Sequence, residues 1–191
     1  AAGAVDIDAA TTATIDTLNA AAAVDVDAGD AILINTTLAT TNDGTVDLTS
    51  TGSSITMASG STFSASGAAM LDASTTISTR EFSAATLGMT AGDLISILGD
   101  MTTTTGGANI VSSGAGVVMA DGTKLTTAGN VVIDADTAAT IESLDAAGNV
   151  SVDAGDDITI NEALATTNGG TVDLTTTTSI VKNEEMYDIA E

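Results

Sequence analysis

Residues 130–175 read NVVIDADTAATIESLDAAGNVSVDAGDDITINEALATTNGGTVDLT, and much the same text stands 126 positions earlier. Laid over each other without a gap, Val5–Ser53 and Val131–Ser179 agree at about two thirds of positions. VDAGD recurs as Val26–Asp30 and Val152–Asp156, LATTN as Leu38–Asn42 and Leu164–Asn168, and GTVDLT as Gly44–Thr49 and Gly170–Thr175. Self-similarity at a fixed offset decides an architecture before any single motif does. A shorter period lies inside the long one. Apolar–x–apolar triplets followed by a small polar residue begin at Val5, Val24, Val46, Ala69, Leu87, Ile110, Val131, Val150 and Val172, with Asn109 a rival start for the sixth. The average spacing is about 21 residues, so the 126-residue unit contains six such periods.

The period that opens at Asn149 shows the plan. Val150, Val152 and Ala154 alternate with Ser151 and Asp153, the two-residue rhythm of a half-buried strand. Gly155–Asp156 turns the chain, Ile158 and Ile160 make a second alternating segment, and Asn161–Glu162 bends it again. Ala163–Leu164 leads into a Thr166–Gly170 loop that returns to Val172. Three short strands and three bends bring the chain back over its start. A β-sandwich spaces its strands by hairpin turns and does not repeat such a three-strand unit. The expected fold is all-β: a single-chain right-handed parallel β-helix, or β-solenoid, of about nine coils of about 21 residues with strands ~4.8 Å apart. The hand follows the usual preference of parallel crossovers. The solenoid should cover residues 1–181, with the repeat unit at 5–130 restarting at 131 and less regular coils at about 50–107. Residues 182–191, with four acids and the one Tyr of the chain, read as a cap, a linker or an inter-subunit segment.

Composition agrees with such a fold. The 191 residues include no Pro, Cys, His or Trp, and the only aromatics are Phe63, Phe82 and Tyr187. Proline removes a backbone donor and survives only at sheet edges and bulges, so its absence suits a chain whose N–H groups pair with neighbouring coils. Thr makes up nearly a fifth of the chain, and β-branched residues with Gly and Asn punctuation favour strands and tight turns. Arg80, Lys124 and Lys182 stand against 26 acids, a net charge of −23. That balance excludes nucleic acid, whose phosphates need Lys and Arg, and an anionic membrane surface. A 43% apolar fraction speaks against disorder. No apolar run approaches the ~18 residues of a membrane span. The opening AAGAVDID has no charged leader region or cleavage pattern, so any signal peptide is expected upstream or already removed.

The pattern GNVSVDAGDDITINEALATTNGGTVDLT resembles the repeats of filamentous-haemagglutinin-type adhesins, which are exported by two-partner secretion. The resemblance covers Val5–Thr49 and Gly129–Thr178 and, more loosely, the middle. It implies a right-handed parallel β-helix on a bacterial surface, hence an extracellular, cell-surface location. Nothing in the chain is similar to that family's secretion domain, so the resemblance implies an internal segment or a repurposed relative.

Carboxylates carry the candidate site. The position after each triplet reads Asp8, Asp27, Thr49, Asp72, Thr90, Ser112 or Ser113, Asp134, Asp153 and Thr175. On stacked coils these outward residues form a column, in which neighbouring carboxylates ~5 Å apart repel. A shared cation would relieve Asp8/Asp27 and Asp134/Asp153, and the turns add Asp30, Asp156 and Asp157. Hard oxygen ligands suit Ca²⁺, which makes Asp8, Asp27, Asp30, Asp134, Asp153, Asp156 and Asp157 the candidate calcium ligands. The competing reading is a solvated acidic surface. The position between the triplet's apolar residues is Asp6, Asp25 and Asp47 early and Ser151 and Asp173 late, but Met70, Gly88 and Val132 between, which suggests a lateral packing patch.

Two further function classes match parts of the pattern. Thr pairs before the Gly turns (Thr40–Thr41, Thr104–Thr105, Thr126–Thr127 and Thr166–Thr167) could line an ice-binding face. A polysaccharide-degrading β-helix enzyme would need a base, and only Arg80 is placed to serve; sugar subsites would also want aromatics, so no catalytic residues are assigned. The expected function is structural or adhesive: a segment of a surface adhesin, or a subunit of an extracellular fibre that self-associates end to end. Its partners would be further copies of itself, or a host, cell-surface or matrix ligand.

Overall fold

The computed structural model describes residues 1–183, and these form strands and turns with no helix. Each coil contributes a first strand to one nine-stranded parallel sheet, in the order Val5–Ala9, Val24–Ala28, Val46–Ser50, Ala69–Ala73, Leu87–Ala91, Ala108–Ser112, Val131–Ala135, Val150–Ala154 and Val172–Thr176. The second and third strands of each coil form a fifteen-stranded parallel sheet. Ala13–Ala20 and Ile32–Thr40 join its two halves by running through the second corner, with an irregularity between Ile15 and Thr17 where Ile32–Thr40 holds one more residue. The rod therefore has three faces. Nine first strands enclose eight full turns, and six turns separate Val5 from Val131. The 126-residue repeat is thus six coils of one continuous ladder.

Alternation in the sequence becomes alternation of burial. Val24–Ala28, Ala69–Ala73 and Val131–Ala135 each bury their first, third and fifth side chains and expose the other two. The inward positions stack into columns: Val26, Leu48, Leu71, Met89, Ile110, Ile133 and Val152 are all buried in one of them. Each such side chain is worth roughly 1.5–3 kcal/mol relative to exposure. Ala, Val, Ile and Leu are small enough to fill so narrow a core. On the third face the column reads Leu38, Phe63, Phe82, Met101, Leu125 and Leu144, all buried. Phe63 and Phe82 stack there with ring centroids 4.1 Å apart and planes 8° from parallel. The rung spacing enforces this near-face-to-face pairing, where free rings prefer an offset or an edge-on approach.

Short polar devices turn the corners. At the first corner the chain comes so close to the coil before it that a Cβ on Gly29 or Gly155 would strike the carbonyl oxygen of Ala10 or Asp136. Inward hydroxyls at the same corner donate to the preceding coil's carbonyls: Ser50 to Asp30, Ser112 to Asp93 and Thr176 to Asp156. At the second corner Asn35 Nδ2 donates to Asp16 Oδ1 at 2.9 Å, and Asn183, Asn161 and Glu142 form a three-rung ladder at 2.7 and 2.9 Å. At the third, the hydroxyls of Thr40, Thr127 and Thr166 donate across the turn to the carbonyls of Gly44, Gly129 and Gly170. Asn42, Asp43, Asn168 and Gly169 adopt positive φ there.

One coil starts where the triplets did not place it. The sixth first strand begins at Ala108, not at Ile110 or Asn109, because Leu87 pairs with Ala108 and Met89 with Ile110. Ser112 consequently points inward, where its hydroxyl is satisfied by the Asp93 carbonyl at 2.6 Å, and Val111 takes the outward place. Between residues 50 and 107 the same three strands per coil continue, with neighbouring first strands 18 to 23 residues apart. Lys182 still belongs to the ladder, paired with Ile160. Residues 184–191 of the expected cap, linker or inter-subunit segment lie outside the described residues.

Candidate functional site

The first face carries two outward columns, set by the second and fourth residues of each first strand. The fourth-position column runs Asp8, Asp27, Thr49, Asp72, Thr90, Val111, Asp134, Asp153 and Thr175. It brings Asp8 beside Asp27 and Asp134 beside Asp153 as direct register partners, as the triplets required. Neither Ser112 nor Ser113 belongs to it; Val111 does. The second-position column runs Asp6, Asp25, Asp47, Met70, Gly88, Asn109, Val132, Ser151 and Asp173. The amino-terminal four rungs therefore present six carboxylates, and none of the three cationic side chains of the chain lies on these columns.

The electrostatic consequence is clearest at Asp47. Partial desolvation, and then the charges of Asp25, Asp27 and Asp72, hold its carboxyl above the usual range. All four causes disfavour the ionised form. Like charge from three neighbouring aspartates thus adds to desolvation at this rung.

The corner acids behave differently. Asp30 and Asp156 contribute through their backbone carbonyls, which accept the Ser50 and Thr176 hydroxyls, while their side chains stay exposed. Asp157 Oδ1 accepts the Ser179 hydroxyl at 2.6 Å, the Thr178 hydroxyl at 2.7 Å and the Ser179 amide at 3.2 Å. Hydrogen bonds from Ser179 and Thr178 hold its carboxyl below the usual range. It is a strut between two coils. Among the described residues no group of three or more carboxylates is arranged to hold a metal ion, and the candidate ligands of the fourth-position column stand as the register pairs Asp8/Asp27 and Asp134/Asp153. A pair offers at most four oxygens, where Ca²⁺ takes six to eight, so water would complete any ion held there.

The Thr pairs do not form one surface. Thr40 and Thr127 are buried with their hydroxyls spent on corner carbonyls, and Thr41, Thr104, Thr105 and Thr167 are exposed beside the turns. A more regular hydroxyl column stands on the second face, which sequence spacing did not single out. Thr14, Leu33, Thr56, Ser78, Ser96, Val118, Thr140, Thr159 and Val181 follow each other there, one per rung and without a charge. The signal was present as the middle residue of each short second strand, such as Ile158–Thr159–Ile160. Arg80 sits at the second corner, its Nη1 3.5 Å from the Leu98 carbonyl and its Nε buried without a partner. A shallow, open depression nearby is bordered by Glu81, Asp100 and Asp121. No helix of the described residues is long and apolar enough to cross a membrane. No family model, no curated protein and no solved structure matches the chain.

Proposed function

We propose that the chain is a structural and adhesive element of a bacterial cell surface, either a solenoid segment of a filamentous-haemagglutinin-type adhesin or a subunit of an extracellular fibre. One observation carries the reading: a parallel ladder runs without a break through all nine first strands, every rung built on the same plan. Coils of one plan can stack on further coils, whether of the same chain or of another copy. A head-to-tail contact of that kind does not close and builds filaments. The function is then mechanical: parallel hydrogen-bond ladders give a stiff rod of about 40 Å per nine rungs, and the near absence of Lys and Arg denies trypsin most of its sites.

Electron microscopy and sedimentation velocity over a wide concentration range, with calcium and with chelator, test the fibre form. Rods lengthening in steps of about 40 Å are expected. Short particles under every condition would overturn it. Binding of the fluorescent protein to host-cell or matrix preparations tests the adhesive form, which fails if none retains it above an acidic control protein. The uncharged column of the second face, Thr or Ser at six of its nine rungs, favours one other reading, ice binding, since its hydroxyls repeat at the rung spacing. Faceted crystals on a cold-stage microscope would put that reading first, and rounded ones would remove it.

A further inference from the structure

The first face is interrupted. In its second-position column the carboxylates Asp6, Asp25 and Asp47 give way to Met70, Gly88, Asn109 and Val132 over four consecutive rungs. In the neighbouring column Thr90 and Val111 occupy the two middle rungs. Met70 is 51% and Val132 41% exposed, the most exposed large apolar side chains before the last described coil. The window is also shaped. A Cβ on Gly88 would lie 2.6 Å from Met70 Sδ and 2.7 Å from its Cε, so the thioether rests in the place that the missing side chain leaves. Acids border the window on both sides, Asp47 and Asp72 at one end and Asp134 and Asp153 at the other.

From this arrangement we infer that the Met70–Val132 window docks a cationic amphipathic peptide segment, its apolar side chains on Met70, Val111 and Val132 and its Lys or Arg side chains on the flanking aspartates. The flanks are three rungs apart in the fourth-position column, ~15 Å, which four or five extended residues span at ~3.3 Å each. The backbone under the window is already paired on both sides within its sheet, so the contact is made by side chains and not by strand addition. A second copy does not fit by the same face, because its carboxylates would meet these carboxylates, and Arg80, Lys124 and Lys182 lie elsewhere. A cation is what this face lacks: its two outward columns carry carboxylates at both ends of the window and no Lys or Arg. Complementary charge of this kind sets partner choice and on-rate more than raw affinity. The inference rests on the window and not on the adhesive or fibre reading, so its failure leaves those standing.

The repeat supplies a variant that conserves the fold. Val132 stands where the earlier copy has Asp6, so Val132→Asp only restores that residue. The probe is a synthetic peptide with four apolar residues between paired lysines, beside a control with the same lysines around a Gly/Ser centre. Fluorescence anisotropy at low salt should show the apolar peptide binding at least about tenfold more tightly than the control, with the difference surviving moderate salt. Val132→Asp and Met70→Ser should each lower that affinity several-fold, although Val132→Asp adds attracting charge. Amide shifts should cluster on the first-face strands Ala69–Ala73, Leu87–Ala91, Ala108–Ser112 and Val131–Ala135. The inference is overturned if the two peptides bind alike, if Val132→Asp binds more tightly, or if the shifts spread over the other faces. A dimer through this face in sedimentation, abolished by Val132→Asp, would equally overturn it in favour of a second copy.

Discussion

Single residues show how closely the coils approach one another and where the chain departs from ordinary geometry. Gly155 and Gly169 are both corner glycines, needed for different reasons. A Cβ at Gly155 would collide with the Asp136 carbonyl, whereas at Gly169 it would meet open space, and only the φ of 74° favours glycine. Gly169→Ala should therefore cost about 1–2 kcal/mol, the left-handed penalty alone. Gly155→Ala must displace a backbone and should cost more; paired denaturant titrations read the order, and equal costs would contradict it. The charge column makes a prediction about pH. Asp47 has a raised carboxyl pKa in the fold, so it favours the protonated native state, and its penalty is absent below the ordinary aspartate range and complete at neutral pH. Because the side chain is exposed, solvent screening keeps the effect to a few tenths up to about 1 kcal/mol. Asp47→Asn should melt higher than the parent at pH 7 and the two curves should meet near pH 3. Asp157 has the opposite sign: its lowered pKa gives a contribution present at neutral pH and lost as pH falls through its folded value. Asp157→Asn should therefore melt lower at pH 7, and not in strong acid.

At the scale of strands and faces, the sequence was read best where side chains alternate. The period-2 triplets located eight of the nine first strands, since an inward Val or Ile next to an outward Asp is an unmistakable signal. They failed at Ala108–Ser112, where an outward Val111 and an inward Ser112 invert the pattern. That inversion is permitted by one hydrogen bond to the preceding coil, which no local reading of the text could supply. The pairing of Asp8 with Asp27 and of Asp134 with Asp153 was legible for the same reason as the strands. The roles of Asp156 and Asp157 were not, because they depend on Thr176, Thr178 and Ser179 one coil later. The paired columns lead to a cation prediction. Divalent ions bridging Asp8–Asp27 and Asp25–Asp47 should raise the melting temperature by a few degrees beyond NaCl of equal ionic strength. Mg²⁺ and Ca²⁺ should act alike, because a pair supplies too few oxygens to select by size. Asp27→Asn should reduce the response, and an unchanged response would place the ions elsewhere.

For the molecule as a whole, the repeat implies that stability is added coil by coil and passed only between neighbours. A direct test removes one coil. Deleting residues 131–149 joins Asn130 to Val150, and the replaced junction is closely similar, since Thr127–Asn130 reads TAGN where Ala146–Asn149 reads AAGN. The sixth coil would then meet the eighth with Ala108 under Val150, Ile110 under Val152 and Leu125 under Leu164, all inward apolar pairs. The buried Glu142 leaves with the deleted coil, so no charge is stranded in the core. Deleting residues 131–140 instead removes half a turn and sets first strands against second, so that inward and outward columns no longer agree. The full-coil deletion should keep a cooperative melt within several degrees of the parent and the same β-rich circular dichroism. The half-coil deletion should unfold or lose its carboxy-terminal coils to proteolysis. If both deletions behave alike, the coils are not independent units, and the ladder draws its stability from something other than the contact of each rung with the next.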